Sequence, residues 1–193
     1  MELAALRRSS FVIILEDAPA VWQNGTMRPI QAWARKGRIR FFLPFLRAGD
    51  RVLEIGSGEG WFRHAVAESL AVDYLTMDLE QPADIRGDIC DWQQFGLAPA
   101  SFDAIVAFEV VEHVACFPQC LELLKPGGLM LITTPMPHMD WLLKIVEALH
   151  LTQQRTSPHS HLVYLKDVPG FTVDKARAPF GVGQWAVFRK PAA

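Results

Sequence analysis

From residue 51 onward the apolar positions come in short runs separated by helical spacing, the pattern of a parallel sheet covered on both faces. The first run, Arg51 to Ile55, reads as a buried strand that breaks on Gly56, Gly58 and Gly60, with a helix expected from about Trp61 to Leu70. A second strand is expected over about Asp73 to Met77, closed by Asp78. A short one around Ile85 to Gly87 leads into Asp88, Ile89 and Cys90, with a helical turn near Trp92 to Phe95. Phe102 to Phe108 is nearly continuous in apolar residues and predicts a central strand. A helix follows over Val110 to Leu124 and stops at Lys125-Pro126-Gly127-Gly128. Leu129 to Thr133 is the next strand, and a helix is expected over Met139 to Leu149 after Pro135 and Pro137. Two last β-like runs, Phe171 to Ala176 and Gln184 to Arg189, flank Pro179-Phe180-Gly181 and read as a closing antiparallel hairpin.

Upstream, Ile30, Trp33, Ile39, Phe42, Leu43 and Leu46 recur at roughly helical spacing. One or two helices are expected over Arg28 to Leu46, interrupted by Gly37 and Pro44, with Ala48-Gly49-Asp50 as the turn into the first strand. Residues 1–27 carry turn signals at Pro19 and Asn24-Gly25 and an apolar run, Phe11 to Leu15, that suits a strand or an extended arm; no role is assigned to them.

Composition narrows the class. With 193 residues the chain is the size of one well-cored α/β domain. The 19 Lys and Arg nearly cancel the 21 Asp and Glu, so no overall basic field exists to hold a phosphate backbone, and a nucleic-acid substrate is disfavoured. Cys90, Cys116 and Cys120 are odd in number and sit among apolar residues, as expected of reduced thiols in a cytoplasmic protein. Cys116 and Cys120 lie four apart on the expected helix but have no spaced third or fourth ligand, and no metal is expected. Arg7-Arg8 before Phe11 to Leu15 superficially resembles a signal peptide. The apolar run is too short and Glu16-Asp17 follows at once, so neither secretion nor a membrane span is expected.

Three nucleotide-site patterns compete for the glycine loop. A phosphate-binding P-loop needs Lys and then Ser or Thr after its last glycine, but Trp61-Phe62 follow Gly60. A dinucleotide fingerprint needs a glycine where Trp61 stands, which argues against a nicotinamide or flavin site. In the third pattern the glycines alternate behind an acidic residue, here Glu54. A carboxylate beside the loop amides repels a pyrophosphate and suits a ligand with a cationic group.

At this point the chain resembles the class I S-adenosylmethionine-dependent methyltransferases over about residues 50 to 135. The matching pieces are Val52-Leu53-Glu54-Ile55-Gly56-Ser57-Gly58-Glu59-Gly60, Tyr74-Leu75-Thr76-Met77-Asp78, Gly87-Asp88-Ile89, Phe102 to Val114 and Leu124-Lys125-Pro126-Gly127-Gly128-Leu129, in the family's order. The resemblance implies a doubly wound, Rossmann-like α/β fold with a mostly parallel seven-stranded sheet and a C-terminal antiparallel hairpin. It also implies S-adenosylmethionine as cofactor, with S-adenosylhomocysteine as its product. Glu54 would face the amino group of the methionine part, directly or through water, and Gly56, Ser57, Gly58 and Gly60 would bring backbone to the ligand. Asp78, about 20 residues past the glycines, would accept from the ribose hydroxyls with Leu79 beside it. Asp88 would accept from the adenine amine, Ile89 would offer its amide and an apolar face, and Phe108 and Glu109 would border the methionine portion.

Methyl transfer from a sulfonium is an in-line displacement, so aligning the partners and excluding water is the main task. Where the acceptor arrives protonated a base is needed, and His113, His138, His159 and His161 are the candidates. Glu112 and His113 also fit plain structural roles at a helix start. His159-Ser160-His161 has no further ligand nearby and reads as loop hydrogen bonding. One domain is expected over 1–193, made of an arm and helices (1–48), a cofactor-binding core (49–135), and a substrate-side segment with the closing hairpin (136–193). The stretch between the fifth strand and the closing hairpin, with its polar segment Thr152 to Ser160, is abbreviated against the family pattern of a full helix before the sixth strand, which leaves the pocket open or completed by a second copy or a partner chain. The nearest likeness is to small methyltransferases acting on quinone precursors and other small molecules. A methyltransferase-like scaffold subunit with little activity alone is the alternative.

Overall fold

The structure, a computed structural model, describes residues 29–136, 165, 168–181 and 183–192. Two compact units divide the chain, Met1–Ala34 and Arg35–Ala193. Of the first unit only residues 29–34 are described, the opening turns of helix α1 (Pro29–Phe42), which starts on proline, a residue whose fixed φ and missing N–H suit a first helical position. The rest of the described chain belongs to the second unit.

Seven strands form one sheet in the order β3-β2-β1-β4-β5-β7-β6. They are β1 (Arg51–Ile55), β2 (Asp73–Asp78), β3 (Ile85–Arg86), β4 (Phe102–Phe108), β5 (Leu124–Pro135), β6 (Thr172–Arg177) and β7 (Gly183–Arg189). β1 pairs in parallel with both β2 and β4, β4 with β5 likewise, and β7 runs antiparallel to both β5 and β6. The expected doubly wound, mostly parallel α/β sheet with its antiparallel closing hairpin is therefore present. The strand order reverses between β1 and β4, and in such sheets the carboxyl ends of the strands at that point open into a ligand crevice.

Strand alternation distributes the core between the two faces. On one face Val52, Val106, Leu131 and Val187 pack with Phe41 and Phe42 of α1 and with Phe62 and Val66 of α2 (Trp61–Ala67). On the other, Leu53, Ile105, Met130, Ile132 and Phe188 meet Cys120 and Leu123 of α3 (Phe117–Leu123) and Ile89 and Trp92 of a 3-10 helix, Ile89–Phe95. Phe42 and Phe62 are fully buried, so truncating either to Ala should cost about 3–5 kcal/mol.

Four expectations need correction. Gly37 does not interrupt α1; a Cβ there would lie 3.1 Å from the ring of Trp185 on β7, so the residue is small because helix and sheet approach closely. The helix expected over Val110 to Leu124 is only α3. Val110 to Cys116 form a turn and irregular chain after Glu109 adopts φ +57°, and Pro118 in the first turn of α3 fits a helix beginning there. β5 is longer than expected because Leu124 already pairs with Phe102, and the next pair is Ala104 with Leu129. Lys125 to Gly128 thus form a bulge inside the strand, pinned by Lys125 Nζ donating to Asp103 at 2.7 Å. Finally, α2 stops at Ala67 rather than near Leu70. The expected helix Met139 to Leu149, the polar stretch Thr152 to Ser160 and residues 1–27 lie outside the described residues. Among the described residues no helix is long and apolar enough to cross a membrane.

Candidate functional site

The glycine loop leaves β1 by a left-handed turn. Gly56 has φ +67°, its N–H donates to the carbonyl of Met77 at 2.8 Å, and a Cβ on it would lie 2.5 Å from Val110 Cγ2. No L side chain fits there without displacing the loop after β4. At Gly58 and Gly60, also left-handed, a Cβ would meet nothing within 4 Å, so this backbone borders open space. Ser57 between them is buried, and its hydroxyl has no hydrogen-bond partner among the described residues.

The loop is tied directly to the end of β2. The Gly58 N–H donates to Asp78 Oδ2 at 3.0 Å, while Glu80 and Gln81 N–H both donate to Oδ1 at 3.0 Å. Burial alone would raise the carboxyl's pKa. The backbone donors together outweigh it, and the pKa falls below the ordinary value. Three of the roughly four acceptor positions of this carboxylate are thus taken by the chain's own amides. Leu79, next along, is 62 % exposed. Asp88 caps the 3-10 helix by accepting from Cys90 N–H at 2.9 Å, and Ile89 turns its side chain into the core. Neighbouring Asp84 does something else: it accepts from Thr76 N–H and Oγ1 and from Arg63, which fastens the loop after β2 to α2.

Glu54 lies beneath the loop, 3 % exposed. Its described partner is Tyr74, whose hydroxyl donates to Oε2 at 3.2 Å. Burial pushes the Glu54 pKa up to about 8 against the pull of that bond and of Arg63, and Asp78 adds to the rise.

A second group of side chains gathers at the ends of β4 and β5. Phe108 stacks on Trp61, with centroids 5.7 Å apart and planes 17° from parallel, and meets Phe62 and Phe42. Trp61 and Phe62 therefore serve the core face first, although Trp61 is only half-buried. Glu109, held in a left-handed conformation that is strained for a residue with a side chain, donates its N–H to Thr133 O. Its Oε1 accepts from Thr133 Oγ1 at 2.7 Å and from Arg38 Nη2 at 2.7 Å. Glu112 is buried and accepts from Thr134 Oγ1 at 3.0 Å; burial first, then the nearby Glu109 charge, raise its pKa. His113 directly follows Glu112 in the same turn, its N–H bonded to Val110 O rather than at a helix start.

Helix α1 reaches both groups. Arg35 donates to Glu59 in the glycine loop at 2.6 Å and lies over the Trp61 ring, while Arg38, one turn on, donates to Glu109. The structure thus brings Glu54, the glycines, Asp78, Phe108 and Glu109 to the carboxyl ends of adjacent strands. Asp88 and Ile89 stand one strand further out, and His138, His159 and His161 lie outside the described residues. Sequence reading missed Tyr74, Arg35, Arg38, Thr133 and Thr134. Tyr74 had a usable signal: in a parallel pair with Val52 opposite Tyr74, the period of two puts Tyr74 and Glu54 on one face.

Among proteins of known family, residues 28–167 match the model described as a methyltransferase domain. The chain belongs to this family. The resemblance to class I S-adenosylmethionine-dependent methyltransferases is thereby upheld. A ubiquinone biosynthesis O-methyltransferase of Idiomarina loihiensis is 33% identical over 137 residues, 61% of this chain and 56% of that protein. A protein-L-isoaspartate O-methyltransferase of Nitrosospira multiformis is 31% identical over 116 residues, 53% of this chain and 48% of the relative. The chain spans about half the length of these curated relatives. Of solved structures, the CurJ carbon methyltransferase has a TM-score of 0.57 at 20% identity, over 75% of this chain and 49% of that one. The Haemonchus contortus phosphoethanolamine N-methyltransferase 2 in complex with S-adenosyl-L-methionine scores 0.53 at 16% identity, over 83% of this chain and 52% of its own. At these identities the structural likeness is one of fold.

Proposed function

We propose that this methyltransferase domain binds S-adenosylmethionine at the carboxyl ends of β1, β2 and β4 and transfers its methyl group to a small-molecule acceptor. The observation that carries the reading is the bond from Gly58 N–H to Asp78, which joins a glycine loop whose backbone borders open space at Gly58 and Gly60, next to the sheet's switch point, to the carboxylate that ends the neighbouring strand β2. The residues fit such a ligand: a buried carboxyl, Glu54, with no ion-pair partner among the described residues; a buried, unpartnered Ser57 hydroxyl; and loop backbone facing open space. Glu54 and Ser57 would hold the methionine end, Gly56, Gly58 and Gly60 its approach, and Asp78 with Leu79 the ribose. Asp88 and Ile89 would take the adenine, the latter through its amide, since its side chain packs inward. Because three backbone amides already occupy Asp78, the ribose would use its remaining acceptor position or replace one of them.

When bound, the cofactor supplies an electrophilic methyl group on a sulfonium. The chain's part is to orient and to exclude water. Phe108 and Trp61 wall the site with apolar surface, and Glu109, fixed by Thr133 and Arg38, borders the methionine portion. For an acceptor that must lose a proton, the described groups at the ends of β4 and β5 are Glu112 and His113. A small acceptor is supported by the ubiquinone biosynthesis O-methyltransferase, whose match spans more of the chain than that of the protein-L-isoaspartate O-methyltransferase.

Titration calorimetry with S-adenosylmethionine and S-adenosylhomocysteine tests the reading. Both should bind, and Asp78→Ala or Gly58→Val should abolish the heat while leaving the protein folded. No heat and no thermal shift with either compound would sink it. Binding without release of S-adenosylhomocysteine across a panel of phenolic acceptors would favour the scaffold alternative.

A further inference from the structure

Helix α1 is fastened to the two loops that flank the crevice, one on each side of the point where the strand order reverses. Arg35 Nη2 donates to Glu59 Oε2 at 2.6 Å in the loop after β1, and Arg38 Nη2 donates to Glu109 Oε1 at 2.7 Å at the end of β4. Three residues apart on a helix, the arginines share a face and stand about 4.5 Å apart along its axis, so one turn of α1 ties one loop to the other. Arg35 also lies over the ring of Trp61, which stacks on Phe108. The two ends of this helix segment are held unequally. Phe41 and Phe42 are buried in the core, whereas none of residues 35–40 is fully buried. Each arginine gives its glutamate one nitrogen rather than a two-bond fork, and the buried Arg38 Nε has no partner among the described residues. Part-exposed pairs of this kind are weak contacts, and the turn can let go while the two phenylalanines stay seated.

We propose that this turn of α1 is a clasp across the mouth of the cofactor crevice, with Arg35 and Arg38 as positioning residues that set how fast the cofactor enters and leaves. On the cofactor reading above, the methionine end lies between the loops after β1 and β4, the two that the clasp joins. The turn parts to let the ligand through and closes again behind it. A contact made equally in the empty and the loaded protein leaves affinity unchanged. One that breaks only during passage raises the barrier in both directions.

The test is stopped-flow mixing of the full chain with S-adenosylhomocysteine, followed by tryptophan fluorescence, with calorimetry for the affinity. Arg35→Gln and Glu59→Gln remove opposite halves of one pair, and each should speed association and dissociation about fivefold while Kd stays within about twofold. Arg35→Glu combined with Glu59→Arg, which restores the pair with its charges exchanged, should bring both rates back toward wild type. Sodium chloride at about 0.5 M should speed the wild type more than Arg35→Gln. Arg38→Gln, at the second point of the clasp, should speed association by a similar factor. If Arg35 merely steadied the glycine loop, its loss would speed dissociation alone and weaken affinity, and that result overturns the clasp. Tight wild-type binding whose association rate neither Arg35→Gln nor Glu59→Gln moves overturns it as well. Failure of both cofactor forms to bind the wild type overturns the site reading and the clasp with it.

Discussion

The two halves of the site are held by different kinds of contact. On the β1–β2 side Asp78 is satisfied by backbone amides from the glycine loop and from the residues just after it, and those donors depress its pKa. On the β4–β5 side Glu109 and Glu112 are satisfied by side chains from β5 and α1, and burial raises the Glu112 pKa. A carboxylate fixed by these amides needs only the β1–β2 unit and its two loops to fold. One fixed by distant side chains needs the whole sheet and α1 in place, and can be altered without unmaking its own loop.

The largest test of this contrast is Gly56→Val, which forces a side chain into a left-handed residue 2.5 Å from Val110. It should lower folded stability by roughly 3 kcal/mol, seen in chemical denaturation, because it strains a loop bonded to the end of β2 and packed on the chain after β4. An unchanged midpoint would mean the loop gives way freely and the first half is not rigid.

Next in size is the pH dependence of the empty protein. Asp78 has its pKa lowered by folding, so its contribution is present above the unfolded value and is lost as pH falls through the folded one. Glu54 and Glu112 have theirs raised, so stability is full below the ordinary carboxyl value and is lost as pH rises toward about 8, by up to about 1.4 kcal/mol per pH unit for each group. The melting temperature should therefore peak on the acid side of neutrality. Glu112→Gln should flatten the decline above the peak, and Asp78→Asn the fall below it. If either variant moved the other limb, the two halves would not be separate.

The smallest effect is expected at the α1 contact. Arg38 and Glu109 are both partly exposed, so a double-mutant cycle of Arg38→Gln and Glu109→Gln should give a coupling of about 0.5–1 kcal/mol. A value near zero would remove α1 from the second half.

The same contrast explains what the sequence made legible. The glycine loop, Asp78 and the alternating strands are written in contiguous residues, and β1 and β4 lie where the apolar runs place them. Arg38 and Glu109 are 71 positions apart, and nothing local to either announces the other. The helix expected from Val110 failed for a related reason. Val110 and Val114 have helical spacing, but the chain there turns to carry Glu109 and Glu112 onto the β5 threonines, and tertiary bonds outweigh local preference. Tyr74 was within reach, since the strand period puts it on the face of Glu54, but only once the β1–β2 register is known.

The close seat of α1 against Trp185, through Gly37 and the rings of Phe41 and Phe42, has a consequence for the order in which the protein is made. Trp185 lies on β7, the last of the described strands in chain order, whereas α1 precedes every described strand of the sheet. The helix that brings Arg35 and Arg38 to the site can meet β1, β4 and α2 earlier, but its seat is complete only once β7 is made, and a nascent chain ending before Gln184 should leave residues 35–42 more open to protease. Vectorial synthesis thus assembles the glycine loop first and completes the arginine side of the site last.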